Sequence, residues 1–240
     1  MNVSARTRLA LAGFAAIALL VLSISVVTLS TVSAQNSTPS ASGTPSGTPT
    51  AASCDTEAAI AAAPSSFSIV SEESAARYRA QEELVSVGAN EAVGETNAII
   101  GTILLDEDGT PLVCSRFDVD LRTLQSDEAR RDNYLYQNTL ETETYPLATF
   151  VVASIEGLDE PLADGEAVTL TLLGDLTLHG VTLPATWDAD VTLDGDSLTG
   201  TASTTFRMAD YDIEEPIVGP VASVDQEITL EVEISARKNA

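Results

Sequence analysis

Histidine, tryptophan and lysine each occur once in this 240-residue chain, as His179, Trp187 and Lys238, and aromatic residues make up only 5% of it. A lone histidine with no second ligand nearby does not assemble a zinc site. His179 also falls in an expected hairpin turn, where a plain turn residue is the reading. The sequence has no GxSxG elbow, no phosphate-cradling glycine loop and no helix with paired histidines. The acidic turns Asp106–Gly109 and Asp194–Asp196 lack the long calcium loop with its closing glutamate, so they read as solvated turns. The expectation is a protein that is not an enzyme and carries no cofactor and no metal.

Basic residues are scarce as well: 11 Lys and Arg stand against 36 Asp and Glu, a net charge of −25. Such a surface repels phosphate backbones, which excludes nucleic acid as a partner. It equally disfavours adsorption to an anionic membrane face. Acidity of this kind serves solubility.

What the sequence does contain begins with an uncharged run. Arg6 and Arg8 precede Leu9–Val32, 24 residues without a charge. That is the pattern of an export signal, and Val32-Ser33-Ala34 offers a cleavage site. The run is also long enough to span a bilayer, so residues 1–35 are read as a signal peptide or a retained N-terminal membrane anchor. Residues 36–66 follow as a Ser/Thr/Pro-rich linker, most clearly in Asn36–Ser53, which cannot bury enough apolar surface to fold. The folded part, 67–236, is expected outside the cytoplasm, at the cell surface or secreted. Cys54 and Cys114 are then a disulfide candidate. Cys114 is read as outward-facing on its strand, and two unpaired thiols are the alternative.

The folded part alternates with period two. In Val181–Leu193, Val181, Leu183, Ala185, Trp187, Ala189, Val191 and Leu193 share one face, and Thr182, Pro184, Thr186, Asp188, Asp190 and Thr192 share the other. Val224–Ala236 puts Ile228, Leu230, Val232 and Ile234 on one face. One buried and one wet face is the mark of antiparallel sheet. Softer strands run through Ala76–Gln81, Val113–Arg122, Ala98–Leu105, Leu147–Ile155, Ala167–Leu178 and Leu198–Arg207. Asp108-Gly109, Asp164-Gly165, His179-Gly180 and Asp194-Gly195 are hairpin turns, and Gly174 suggests a bulge. Ser126–Asn138 reads as one short helix. About eight strands with hairpins fit an all-β closed barrel, because closure removes sticky edges; a sandwich is the alternative.

An eight-stranded barrel is either filled by its side chains or holds one small ligand. The faces assigned inward carry Ala76, Ala80, Ala185, Ala189, Gly200 and Ala202, and few aromatics are present to fill the gap. The expectation is an apolar cavity, and a cavity of that kind is more often a binding site than an accident.

Several segments in order resemble one family. Gly174–Trp187 (GDLTLHGVTLPATW), Ala129–Leu135 (ARRDNYL), Thr144–Phe150 (TYPLATF), the pair Gly94 and Gly101, and Phe206–Ile213 (FRMADYDI) are similar to motifs of the YceI-like domain. The resemblance covers about Phe67–Ala236. It implies an antiparallel eight-stranded, lipocalin-like β-barrel with one short helix, and a ligand that is an isoprenoid, a quinone-like molecule or another apolar lipid. The family's first strand often carries histidines where Glu73 and Glu82 stand here. Thr96 and Ile99 replace aromatics of its second strand, and Leu183 replaces a basic residue before Pro184. The residues expected to contact ligand are Tyr78, Ala80, Phe117, Val119, Phe150, Leu172, Trp187 and Phe206. Arg131 and Asp132 are expected to pair with each other or to cap the barrel mouth. A surface interaction module with a filled core is the alternative function.

Overall fold

The computed structural model describes residues 54–240. The expected signal or anchor segment, and the expected linker as far as Ser53, lie outside the described residues. Ten strands form: β1 (Ser65–Ile69), β2 (Ala75–Leu84), β3 (Gly88–Thr96), β4 (Ile99–Leu105), β5 (Arg116–Asp120), β6 (Leu147–Glu156), β7 (Ala167–Leu178), β8 (Val181–Asp194), β9 (Ser197–Arg207) and β10 (Val221–Lys238). Every pairing between them is antiparallel.

β1 and β2 are two halves of one barrel strand, broken by a single 3-10 turn at Ser71–Glu73. Buried Ser74 holds the break by donating to the carbonyls of Val70 (2.9 Å) and Ser235 (3.3 Å). β3 and β4 are likewise halves of one strand. β10 pairs with β9 along one edge and with both β2 and β1 along the other, as in Val232↔Ala76 and Phe67↔Lys238. Counted this way, eight strands close into a ring. The alternation explains the closure: the apolar face of each strand turns to a common interior and the Thr, Asp and Glu face turns to water. On the outside of β2, Arg77 pairs with Glu95, and Arg79 pairs with Glu91 (3.0 Å) and Glu231 (2.9 Å). Exposed pairs of this kind contribute ~0–1 kcal/mol each; here they also offset part of the acidic repulsion.

One end of the barrel is a packed floor. Phe67, Ile99, Leu105, Leu198, Ile234 and Ala236 meet there with Leu162, which reaches in from the β6–β7 connection. Burying each of the larger of these contributes ~1.5–3 kcal/mol.

Four local expectations are corrected. Cys114 is not on a strand: β5 begins only at Arg116, and Cys114 sits in a turn with φ 69°. Ser115 fixes that turn by donating to Leu112 O and accepting from Leu104 N. The helix starts at Ala129, because the Glu128 side chain caps it by accepting from Arg130 N (3.1 Å). It ends as α-helix at Tyr134 and continues as a π-turn over Leu135–Thr139, where Leu140 N donates to Leu135 O. The irregularity near Gly174 lies across from it, on β6 between Val152 and Ser154. Gly174 keeps register, and its lack of a side chain answers a close approach: a Cβ there would stand 2.1 Å from Val151 O and 2.8 Å from the Phe150 ring. Finally, residues 56–62 of the expected linker form helix α1 (Thr56–Ala62), with Asp55 as its cap.

Cys54 and Cys114 are joined in a disulfide that ties the start of α1 to the barrel wall, closing a loop of 60 residues. α1 buries none of its own residues, so its docking depends on this bond. Cys54→Ser with Cys114→Ser is expected to lower stability by about 2 kcal/mol, read as a shifted midpoint in denaturant. The barrel's circular dichroism should be unchanged.

Candidate functional site

The end of the barrel opposite the floor is hollow. Inward positions on β2, β8 and β9 carry Ala76, Ala80, Ala189, Gly200 and Ala202, too small to meet across the axis. Two chambers result. The inner one, about 150 Å³, is walled by Phe117, Val119, Phe150, Leu172, Trp187 and their neighbours. The outer one, about 850 Å³, lies under the helix and the 213–221 loop and includes Ala80, Phe206, Met208, Ile213 and Val224 in its wall. Tyr78, Leu121, Leu124, Leu178 and Leu230 border both, so the chambers meet at this ring.

All eight residues expected to contact ligand line these spaces. Tyr78, Phe117, Val119, Phe150, Leu172 and Trp187 face the inner chamber; Ala80 and Phe206 face the outer one, which Tyr78 also borders. Inside, Phe150 stands between Phe117 (ring centroids 6.4 Å) and Trp187 (5.6 Å), and Phe206 meets Tyr211 edge to face at 5.3 Å. Aromatic pairs at such distances add rigidity to the wall.

Sequence reading missed most of the outer chamber. Its roof is the helix (α2, Ala129–Tyr134) with the π-turn, fastened by a polar latch. Glu82 points inward from β2 with its side chain only 4% exposed. It accepts from Arg131 Nη2 (3.0 Å) and Asn90 Nδ2 (2.8 Å). Arg131 Nη1 also donates to Asp127 (2.7 Å). Asp132 does not pair with Arg131; it accepts from the backbone N–H (3.0 Å) and hydroxyl (2.6 Å) of Ser126. Tyr136 donates its hydroxyl to Leu124 O and pins the π-turn to the ring between the chambers. π-turns concentrate at functional sites, and this one contributes Leu135 and Thr139 to the chamber wall.

His179 is a brace, not an exposed turn residue. Its side chain is 12% exposed, Nε2 lies 3.1 Å from Glu141 Oε2, and Nδ1 lies 3.2 Å from Tyr211 O. Tyr145 packs edge-on against the ring at 4.7 Å. The β7–β8 turn, the segment after the π-turn and the turn following β9 are thereby held together. Both partners of the imidazole are acceptors, so both contacts are hydrogen bonds only when both ring nitrogens carry protons.

The outer chamber's wall includes Val87, Pro216 and Val218, and exposed apolar side chains adjoin them. Val85 and Val87 at the β2–β3 tip are 77% and 72% exposed, and Ile217 in the neighbouring loop is 52% exposed. Val85 N donates to Pro220 O (2.9 Å), which ties the two segments together. Burial pushes the Tyr78 hydroxyl up to about 12 against the lowering influence of nearby Arg131, and burial, with Asp210 adding to it, takes Tyr211 to about 12. Both phenols therefore stay protonated. Among the described residues no group of three or more His, Cys, Asp or Glu side chains is placed to hold a metal.

The comparisons agree with this architecture. A UPF0312 protein of Pseudomonas putida is 32% identical over 133 residues, 52% of this chain and 63% of its own length. The chain thus spans less than two thirds of that relative. Protein YceI of Escherichia coli O157:H7 is 30% identical over 140 residues, 55% of this chain and 68% of its own. Among solved structures, a polyisoprenoid binding domain from Saccharophagus degradans superposes with a TM-score of 0.59 at 16% identity, covering 72% of this chain and 98% of that one. Burkholderia cenocepacia BcnA does so at 0.54 and 14% identity, covering 70% and 98%. At such identities the likeness concerns the fold. The profile of the YceI-like domain matches residues 67–236, and the chain belongs to the YceI-like family.

Proposed function

We propose that this protein is a non-catalytic, extracytoplasmic binder that holds an isoprenoid or similar long-chain amphiphilic lipid inside its barrel. The observation that carries this reading is the pair of adjoining, mostly apolar chambers, about 150 and 850 Å³, that share a ring of wall residues at the open end of the barrel. The inner wall is almost wholly hydrocarbon and aromatic; the outer wall is mostly apolar, with its polar groups gathered on the helix side, at the latch and at Glu128, Arg130, Asn133, Gln137 and Asn138. Each buried CH₂ contributes ~0.8 kcal/mol. A chain of about ten carbons would gain ~8 kcal/mol, which lies within the range of association and ordering costs. Retention therefore favours longer chains, the class for which the two chambers in series provide room. The description of the Saccharophagus degradans domain as polyisoprenoid binding supports the same class. The disulfide, a bond kept in oxidising compartments, and the uncharged run Leu9–Val32 support placement outside the cytoplasm, secreted or anchored.

Organic extraction of the purified full chain followed by mass spectrometry is expected to release a reproducible long-chain lipid. Repeated absence of lipid, with no uptake of polyprenols or prenylated quinones added in solution, would overturn the reading. It would leave the alternative of a surface interaction module.

A further inference from the structure

Buried polar side-chain atoms almost always have partners. Among the described residues Thr139 Oγ1 and Trp187 Nε1 lack one, while the buried Tyr78 hydroxyl lies within reach of Ser126. Trp187 lines the inner chamber, Thr139 the outer one and Tyr78 both. Trp187 matters most for the inner chamber. Indole nitrogen can only donate, and Trp187 is 6% exposed. The Tyr78 hydroxyl, surrounded by Ser126, Arg131, Asp132 and Glu82, is pushed up to about 12 by burial and keeps its proton.

The charged residues bordering the inner chamber, Arg77 and Glu231, are engaged on the outside: Arg77 with Glu95 and Glu233, Glu231 with Arg79. A carboxylate entering the chamber would find no buried cation there, and an unpaired buried charge is costly. A carbonyl satisfies a donor without adding a donor of its own. The volume points the same way, since a dry apolar cavity of about 150 Å³ suffices for one benzene ring.

We infer that the inner chamber takes the polar end of the lipid rather than its tail, as a neutral, ring-sized group bearing a carbonyl oxygen, and that Trp187 Nε1–H is the donor that selects it. The tail then occupies the outer chamber under the helix. This assignment rests on the lipid-binding reading and deepens it.

Trp187 is the sole tryptophan, so the protein has one indole N–H resonance in a proton–nitrogen NMR spectrum. Three probes separate the chemistry: a dodecyl-substituted para-benzoquinone, dodecylbenzene and dodecylbenzoate. The quinone is expected to move the indole N–H signal downfield. Dodecylbenzene should bind, as methyl shifts of the wall residues report, without that displacement, and dodecylbenzoate should bind weakest. Trp187→Phe keeps an aromatic wall and is expected to weaken the quinone roughly three- to ten-fold, the size of one neutral hydrogen bond, while dodecylbenzene changes less than about two-fold. If quinone and dodecylbenzene both bind and the indole signal ignores the quinone, or if Trp187→Phe weakens both alike, the assignment is overturned and lipid binding stands. If none of the probes binds, the lipid reading falls and this assignment falls with it.

Discussion

Ala189→Phe is expected to abolish lipid binding while leaving the protein as stable as before or slightly more so. Ala189 is 3% exposed, faces inward on β8 between Leu170 and Ala202 on the adjacent strands, and borders the inner chamber. A phenyl group there occupies the space assigned to the ligand. Excluding about four to six ligand carbons forfeits ~3–5 kcal/mol, a hundred-fold or more in affinity. The same ring fills a void whose walls lack packing partners, and filling such voids commonly adds ~0.5–2 kcal/mol. Overpacking would have the opposite sign, costing about 1–3 kcal/mol, so thermal unfolding beside a lipid-binding titration separates the two. A variant that melts no lower and still binds with full affinity would show that the inner chamber is not where ligand sits.

Arg131→Met should produce the largest loss of stability of any surface-accessible charge replacement in the barrel. Most ion pairs here lie in water and contribute ~0–1 kcal/mol. The Glu82 partner of Arg131 is 4% exposed, so removing the guanidinium strands a carboxylate with Asn90 as its remaining side-chain partner. Breaking a buried pair from one side costs about 3–5 kcal/mol. For a domain of this size that is roughly 6–20 °C in melting temperature. Adding Glu82→Gln in the same chain removes the stranded charge and should recover most of the loss, a coupling that a double-mutant cycle measures directly. If the single variant shifts the melting point by less than about 2 °C, Glu82 is solvated in practice and the latch does not hold the helix.

The contrast between these two sites explains what was legible in the sequence. Trp187 and Ala189 sit in a strand whose alternation is unbroken for thirteen residues, Val181–Leu193, and period two is a local signal. The eight expected ligand contacts follow from such faces, and all of them line the chambers. Glu82 lies on the inward face with Ala76, Tyr78 and Ala80, yet a glutamate gives no sign of burial until its partner is known, and Arg131 is 49 residues away. Alternation did not show β3, which only the resemblance marked, through Gly94 and Thr96: its inward positions are Asn90, Ala92, Gly94 and Thr96, and the Tyr78 ring lies against Gly94, where a Cβ would stand 2.1 Å from it. His179 looked like a turn residue because it is one, with φ 52°. Its second role depends on Glu141 and Tyr211, 38 and 32 residues away. Cys114 was misplaced because Val113–Leu121 alternates through the turn that Ser115 creates.

The closure of the ring has a kinetic consequence. The barrel joins its first strand to its last: Ser68 hydrogen-bonds Asn239 across 171 residues, and Ser74 meets Ser235 across 161. Meander hairpins such as β7–β8 form locally and early, but the seam between β1, β2 and β10 cannot form until the final twenty or so residues exist. Contacts of such sequence separation place a domain among the slow, millisecond-to-second folders. During synthesis the growing chain therefore remains an open, unsealed sheet until β10 has been made and is free to pair with β1 and β2.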